Sequence, residues 1–468
     1  TLRQQGEVLL LGEISTDTRT LQPGDIFLAL QGENHDGHDF VQTAVDKGAA
    51  ALIVSSSSAI ADHRVTIIEV ADTLRAYGEL ARYRRQLLSP QLQVVAITGS
   101  SGKTTVKEMA AAIFNMRYGG APTGSVLKTE GNLNNLVGLP RTLLQVHAGH
   151  RVAVLEMGMN RPGEIRRLTE AADPDIGCIT NVQAAHLEGL GSIAGVARAK
   201  GELFATMQPD RIRIVNCDDA RIRALARQFG GRTVAFGVSP AGRRRRPEVR
   251  VTRIESLGEA GMRFTLHIGA WRQRLTVPAT GAHNVSNCAA AAAIANAAGV
   301  APEVIARGLF SYSSGDKRLQ IVSLLGGISL LNDSYNANPG SMAAALRTVS
   351  TFGKNCRRAA ALGDMLELGR STVEAHRQVG ALVAELGLDY LAVTGGQAAV
   401  VADAAGTGGM DRERIKVCSD TDEVARWLAE LIEERKIQQG DWVLLKGSRG
   451  MRMERVLATL TEILAAQR

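Results

Sequence analysis

Seven consecutive residues hold the most legible chemistry in the chain: Gly99, Ser100, Ser101, Gly102, Lys103, Thr104 and Thr105, directly after the apolar run Val94 to Ile97. The two glycines let the backbone turn tightly and aim N–H groups at phosphate oxygens. A helix starting at Lys103 adds partial positive charge, and the Lys103 ammonium reaches the outer phosphates. Thr104 is then placed to ligate Mg2+. Ile97 stands where the common phosphate loop has its first glycine, so the match is to the shorter Thr-Gly-x-x-Gly-Lys-Thr form. A triphosphate site that drives chemistry is predicted. By itself it leaves kinase, hydrolase, motor, ligase and regulatory switch open.

Further candidates lie downstream. Glu156 ends the apolar run Val152 to Leu155, where a nucleotide site needs a carboxylate for Mg2+. A buried glutamate there with no cation would be costly. Thr180-Asn-Val-Gln-Ala-Ala-His-Leu-Glu188 leads into a helical stretch that carries Ala199-Lys-Gly-Glu-Leu-Phe204. A lone His186 or Lys200 is ordinarily a surface or packed residue. Beside Glu156, the pair acquires a chemical meaning.

Positioning these residues requires alternating short strands and longer helices, the pattern of an α/β architecture with mostly parallel sheets. A first block has strands at Asp25 to Leu30, Ala51 to Val54 and Ile67 to Val70, with helices near Phe40 to Gly48 and Leu74 to Leu88, and Ser89-Pro90 as linker. A second has strands at Val94, Val152, Ile176 to Ile179 and Ile212 to Val215. It continues with hairpin strands at Val249 to Ile254, Met262 to Ile268 and Arg274 to Val277, then an alanine-rich helix over Asn287 to Ala298. A third, from Gly315, has strands at Ile328, Ala359, Leu391 and Trp442. The expected domains are residues 1–89, 90–314 and 315–468. Gly99, Glu156, Asn181, Asn216, Asp333, Gly363, Gly395 and Lys446 all fall at carboxyl ends of expected strands, where doubly wound sheets hold ligands.

Composition excludes several classes. With 45% hydrophobic and 22% charged residues, the chain is globular rather than disordered, fibrous or membrane-spanning. Thr1 to Leu11 lacks the apolar core of a signal peptide, so a cytoplasmic address is expected, and the start on Thr1 rather than Met suggests residues ahead of it. Cys178, Cys217, Cys288, Cys356 and Cys418 lie far apart, arguing against a disulfide framework or a zinc site; they are expected reduced and mostly buried. The net charge of +7 goes with only 4% aromatics. Nucleic acid is therefore not the expected partner, and Arg243 to Arg246 reads as a solvated loop. The positive surplus suits polyanionic substrates.

Thr98-Gly-Ser-Ser-Gly-Lys-Thr-Thr105, Glu130-Gly-Asn-Leu-Asn-Asn135, His186-Leu-Glu188 and Ala199-Lys-Gly-Glu202 resemble the Mur ligase family of peptidoglycan synthesis, over essentially the whole chain. The resemblance implies three domains: a small α/β N-terminal domain binding a UDP-sugar, a central P-loop sheet, and a Rossmann-like C-terminal domain. It implies ATP and Mg2+, with Lys103, His186 and Lys200 as the catalytic set. Thr104 and Glu156 match the first metal's ligands, His186 a ligand of the second, and Lys200 a lysine carbamylated in several members. Asn287 matches a contact to adenine, Arg318 one to the ATP phosphates, and Asp333 the carboxylate holding ribose; Tyr335 is placed to pack on the base. Asn134, Asn135 and Asn160 are candidates for the nucleotide-sugar peptide.

Within the family, Thr16-Asp-Thr-Arg19, Pro23 to Phe27 and Asp36-Gly-His38 resemble the UDP-sugar block of the later peptide-adding members, pointing to Thr16, Thr18 and Arg19. Asn332 to Ser341 and Leu362-Gly-Asp-Met-Leu-Glu-Leu368 resemble the member that adds D-alanyl-D-alanine to UDP-N-acetylmuramoyl-tripeptide, and the Asp-Asn-Pro-Arg motif of the diaminopimelate adder is absent. Gly315-Asp-Lys-Arg318 departs from the more usual Gly-Arg. A monomer without membrane insertion is expected. A folylpolyglutamate synthetase would lack the Thr16 to His38 block, and a nucleotide switch would not need His186 with Lys200.

Overall fold

The structure, a computed structural model, describes residues 2–4, 11–32, 35–56, 65–89, 91–119, 124–313, 315, 317–353 and 355–466. Thr1, most of the stretch to Leu11, Pro90 of the expected linker, Asp316 of the Arg318 segment and the last two residues lie outside the described residues.

Three sheets follow one another along the chain. The first has five strands in the order Leu2–Gln4, Thr66–Glu69, Ala51–Val54, Ile26–Leu28, Ile14–Ser15, parallel except for the Leu2–Gln4 edge. Its helix Thr73–Leu88, capped by Asp72 on the Arg75 N–H, turns Tyr77 and Ala81 toward helices Gly138–Leu143 and Glu164–Ala172 of the middle of the chain. Arg85 adds ion pairs to Asp173 and Asp175, both at 3.5 Å.

The second sheet has nine strands. Gln93–Thr98 lies between Val152–Glu156 and Ile176–Ile179, all parallel. Successive strands therefore leave Gln93–Thr98 in opposite directions, which opens a crevice at its carboxyl end. Outward from Ile176–Ile179 come Ile212–Asn216 and Arg232–Gly237, then the antiparallel run Val249–Ser256, Met262–Ile268, Trp271–Val277. Helices Lys103–Tyr118 and Ala282–Ala297 cover one face, and Ile193–Thr206 and Ala220–Phe229 the other. In Ala282–Ala297, residues Ala289 to Ala295 are all buried, so the small side chains serve close packing on the strands.

The third sheet has six strands in the order Gln320–Ser323, Ser329–Asp333, Trp442–Lys446, Arg358–Gly363, Tyr390–Thr394, Ile415–Cys418, with only Gln320–Ser323 antiparallel. Every expected strand is present within a few residues. Val126–Lys128, Gln320–Ser323 and Ile415–Cys418 are added as edge strands. Each is only three or four residues long, and Ile321 and Val417 are exposed, so their apolar residues do not mark a buried strand in sequence. Arg243 corrects the solvated-loop expectation: it ends a short helix, Pro240–Arg243, and donates to the carbonyls of Val238 and Val251, while Arg244, Arg245 and Arg246 are exposed. The five cysteines are free, four buried and Cys356 half-buried.

Helix Lys103–Tyr118 is held from behind by helix Pro302–Phe310, where Gly308 lets the backbones meet: a Cβ there would lie 2.4 Å from the Ile113 Cα. Gly308→Ala is expected to cost roughly 1–3 kcal/mol through overpacking. An unchanged urea midpoint would contradict so close a contact.

Candidate active site

The loop after Gln93–Thr98 is shaped by two glycines and one neighbouring segment. Gly99 has φ +154° and Gly102 φ +79°. A Cβ on Gly99 would stand 1.8 Å from Thr180 Oγ1, and one on Gly102 2.4 Å from Asn287 Oδ1, so neither place tolerates a side chain. The segment Thr180 to Gln183 pins the loop. Thr180 Oγ1 donates to the Ser101 carbonyl at 2.6 Å, Ser101 N–H donates to Asn181 Oδ1 at 3.0 Å, and Ser100 Oγ donates to the Gln183 carbonyl at 3.0 Å. With the loop so fixed, the first N–H groups of helix Lys103–Tyr118 have no partner inside the helix and point a partial positive charge into the crevice.

Lys103 folds back so that Nζ donates to the Gly99 carbonyl at 2.9 Å. Burial lowers its pKa; Glu156 opposes that and Arg318 adds to it. Glu156, only 3% exposed, ends its strand with both oxygens engaged: Oε2 accepts from Thr104 Oγ1 at 2.5 Å and Oε1 from Asn134 Nδ2 at 2.9 Å. Its backbone N–H donates to Thr129 Oγ1 at 2.9 Å, and the Thr129 carbonyl accepts from buried Lys107 at 2.5 Å. Lys107 and Thr129 are support that sequence reasoning missed, because their link to Glu156 spans distant segments. A buried carboxylate beside a hydroxyl, with only neutral donors in contact, is an oxygen-rich pair suited to a hard divalent cation.

Lys200 lies on helix Ile193–Thr206, begun by a Ser192 cap on the Gly195 N–H. It is 1% exposed and makes no hydrogen bond or ion pair among the described residues. Burial, then the like charge of Lys103, push its pKa well down. His186, at φ +53°, lines the cleft, which Lys200 does not, and its Nδ1 sits 2.6 Å from Glu367 Oε2. The imidazole holds the Glu367 carboxyl below the usual carboxylate range. Glu367 belongs to a segment quoted in the sequence, yet its pairing across 181 positions carries no local signal. Among the described residues no three or more His, Cys, Asp or Glu side chains gather to hold a metal ion.

The third sheet completes the cleft. Asn338 Nδ2 donates to the Ser100 carbonyl at 3.2 Å, while its Oδ1 caps helix Pro339–Val349 through the Ser341 N–H. The Arg318 guanidinium lies 3.9 Å above the Tyr335 ring, so one face of the ring expected to pack on a base already carries a cation. Asp333 is ion-paired to buried Lys446, and its Oδ1 accepts from the Leu319 N–H at 3.2 Å. Asn287 lines the cleft and donates to Asn284 Oδ1 at 2.7 Å.

Of the residues assigned to the second substrate, Asn134 is bonded to Glu156 and Asn160 is exposed at the cleft. Asn135 also lines the cleft, and its Oδ1 accepts from the N–H groups of Val137 and Gly138, at the start of helix Gly138–Leu143. Thr16, Thr18 and Arg19 are not among the cleft residues; Arg19 forks onto Asp17, with 87% of its side chain exposed. The arrangement can hold a polyphosphate on the helix amino end, fix a cation at Thr104 and Glu156, and bring positive charge from two separate sheets to one point.

Comparison with known proteins agrees along the whole chain. The model of the Mur ligase middle domain matches residues 97–295, that of the Mur ligase glutamate ligase domain 317–449, and that of the Mur ligase family catalytic domain 11–85. The chain is 38% identical to UDP-N-acetylmuramoyl-tripeptide--D-alanyl-D-alanine ligase of Escherichia coli, over 98% of this chain and 95% of that protein. A crystal structure of MurF from Acinetobacter baumannii superposes with TM-score 0.85 at 36% identity, covering 96% of this chain and 93% of that one. MurF ligase from Thermotoga maritima, in complex with ADP, gives 0.84 at 27% identity, covering 99% and 100%.

Proposed function

The chain belongs to the Mur ligase family, and on that premise we propose that it is an ATP-dependent amide-bond ligase, joining D-alanyl-D-alanine to the terminal carboxylate of UDP-N-acetylmuramoyl-tripeptide in peptidoglycan precursor synthesis. The observation that carries it is the phosphate loop with Lys103, Thr104 and Glu156, opening on a cleft that residues of the third sheet close, in a chain alike over its full length to ligases of that name.

Carboxylate and γ-phosphate are both anionic, so their encounter needs fixed positive charge. Lys103 and the first-turn N–H groups supply it from the central sheet, and Arg318 supplies it from the third. A carboxylate oxygen bonds to the γ-phosphorus as the bond from that phosphorus to the ADP oxygen breaks, leaving an acyl phosphate. The dipeptide amine then attacks the acyl carbon. The tetrahedral adduct expels phosphate, and the nitrogen gives up its proton. No covalent bond to the enzyme is needed. Closure of the third domain through Asn338 and Glu367 excludes water, which would otherwise consume the acyl phosphate. When bound, Mg2+ neutralises the phosphate oxygens; Thr104 and Glu156 would hold one ion, and His186 with carbamylated Lys200 a second.

The remaining assignments complete the reading. Residues 1–89 bind the UDP end through Thr16, Thr18 and Arg19, residues 90–314 bind ATP, and residues 315–468 close on the nucleotide and hold the dipeptide. Asn287 faces adenine, Asp333 the ribose, and Tyr335 the base on the side opposite Arg318. Asn134, Asn135 and Asn160 contact the peptide. The protein works as a monomer in the cytoplasm; no described helix is long and apolar enough to cross a membrane. An unpartnered Lys200 amine whose pKa burial pushes down supports carbamylation, because only the unprotonated amine adds CO2, losing a proton to become an anionic oxygen ligand.

Phosphate release should require both UDP-N-acetylmuramoyl-tripeptide and D-alanyl-D-alanine, and Lys103→Ala should lower kcat by about a hundredfold or more. Turnover with another acceptor pair, or near-normal kcat in the variant, would overturn the assignment. In 13C-bicarbonate the protein should show a carbamate carbon resonance that Lys200→Ala lacks; a spectrum without it in the unaltered protein would remove that role from Lys200.

A further inference from the structure

The chain's positive surplus does not sit in the cleft, whose lining holds seven lysines and arginines against eight aspartates and glutamates. Residues 240–277 instead carry nine arginines, no lysine and three glutamates, a surplus of six out of the chain's net +7. This segment forms the antiparallel end of the nine-stranded sheet, with Trp271–Val277 at the open edge. Its inner residues, among them Val251, Phe264 and Leu275, join the core shared with helices Ala282–Ala297 and Pro302–Phe310. Its outer residues face solvent. Strand register sets Arg250, His267 and Arg272 in one row across three strands, with Arg274 two residues further along the edge strand on the same face. Burial, and then Arg250, Arg272 and Arg253, lower the His267 pKa, so three of these guanidinium groups crowd one imidazole.

Glu255 pairs with Arg263 and Arg274. Among the described residues Arg244, Arg245, Arg246, Arg250, Arg253 and Arg272 make no ion pair. Edge-strand protection accounts for charge at Arg272 and Arg274, but not for Arg250 on an inner strand or for the exposed Arg244 to Arg246 beside it.

We propose that this arginine face docks the protein peripherally on an anionic phospholipid surface. Guanidinium groups match phosphate oxygens two at a time, and a broad array of them on a sheet face fits a plane of headgroups. A single-stranded nucleic acid fits less well, since it is normally held by aromatic side chains that stack its bases, and Trp271, the aromatic residue of the edge strand, is in register with buried Val249 and Ile268 and packs against the core.

The full chain should co-sediment with vesicles of phosphatidylglycerol and phosphatidylcholine at about 0.1 M salt, not with phosphatidylcholine alone, and should be released as salt rises. At roughly fivefold per arginine, the triple variant R244Q/R245Q/R246Q should bind about a hundredfold more weakly, and R250Q/R272Q about twentyfold, with phosphate release unchanged in both. No binding to the anionic vesicles, or binding undiminished in both folded variants, would overturn the proposal. So would tighter binding to a single-stranded RNA oligonucleotide than to the vesicles, which would mark a nucleic-acid surface instead.

Discussion

Glu156 is a carboxylate at the end of a central strand, 3% exposed, with no cation in direct contact. Burying such a charge costs several kcal/mol unless hydrogen bonds and nearby positive charge offset it. Much of the site can be understood as that offset: Thr104 and Asn134 hold the oxygens, Thr129 holds the backbone, Lys107 holds Thr129, and Lys103 stands close enough for its pKa to register the charge. The same construction leaves Glu156 ready for a hard cation, because its partners are neutral donors. Lys200, its pKa pushed down by burial and then by Lys103, follows the same logic from the opposite sign: a second ammonium there would repel the first.

Reaction requires that this charge be met from a second body. The third sheet reaches the phosphate loop through Asn338 on Ser100 and the His186 segment through Glu367, whose carbonyl also accepts from the Glu188 N–H at 3.1 Å. Both contacts lie beside groups assigned to the chemistry. Arg318, stacked on Tyr335, and Lys446, paired with Asp333, belong to the same third domain.

Local patterns were legible in sequence because they depend on neighbours in the chain. A glycine pair before Lys103 is dictated by backbone geometry, and its strand and helix are dictated by periodicity; both stand where expected. The placement of Glu156, Asp333 and Lys446 at strand ends was likewise readable. What could not be read depends on partners brought together by the fold. Asn135 carries the family pattern, but that its Oδ1 also holds a helix start could not be seen there. Glu367 meets His186 across domains, and Arg318 lies on Tyr335 rather than apart from it. The charge surplus was visible as a number, while its location on one sheet face required the strand register.

In the proposed reaction the γ-phosphate donor site faces a bound carboxylate rather than water. Oxygen-18 in the terminal carboxylate of UDP-N-acetylmuramoyl-tripeptide tests it most directly. One labelled oxygen should pass from each carboxylate into the phosphate released per turnover. Unlabelled phosphate formed alongside the new amide bond would contradict it.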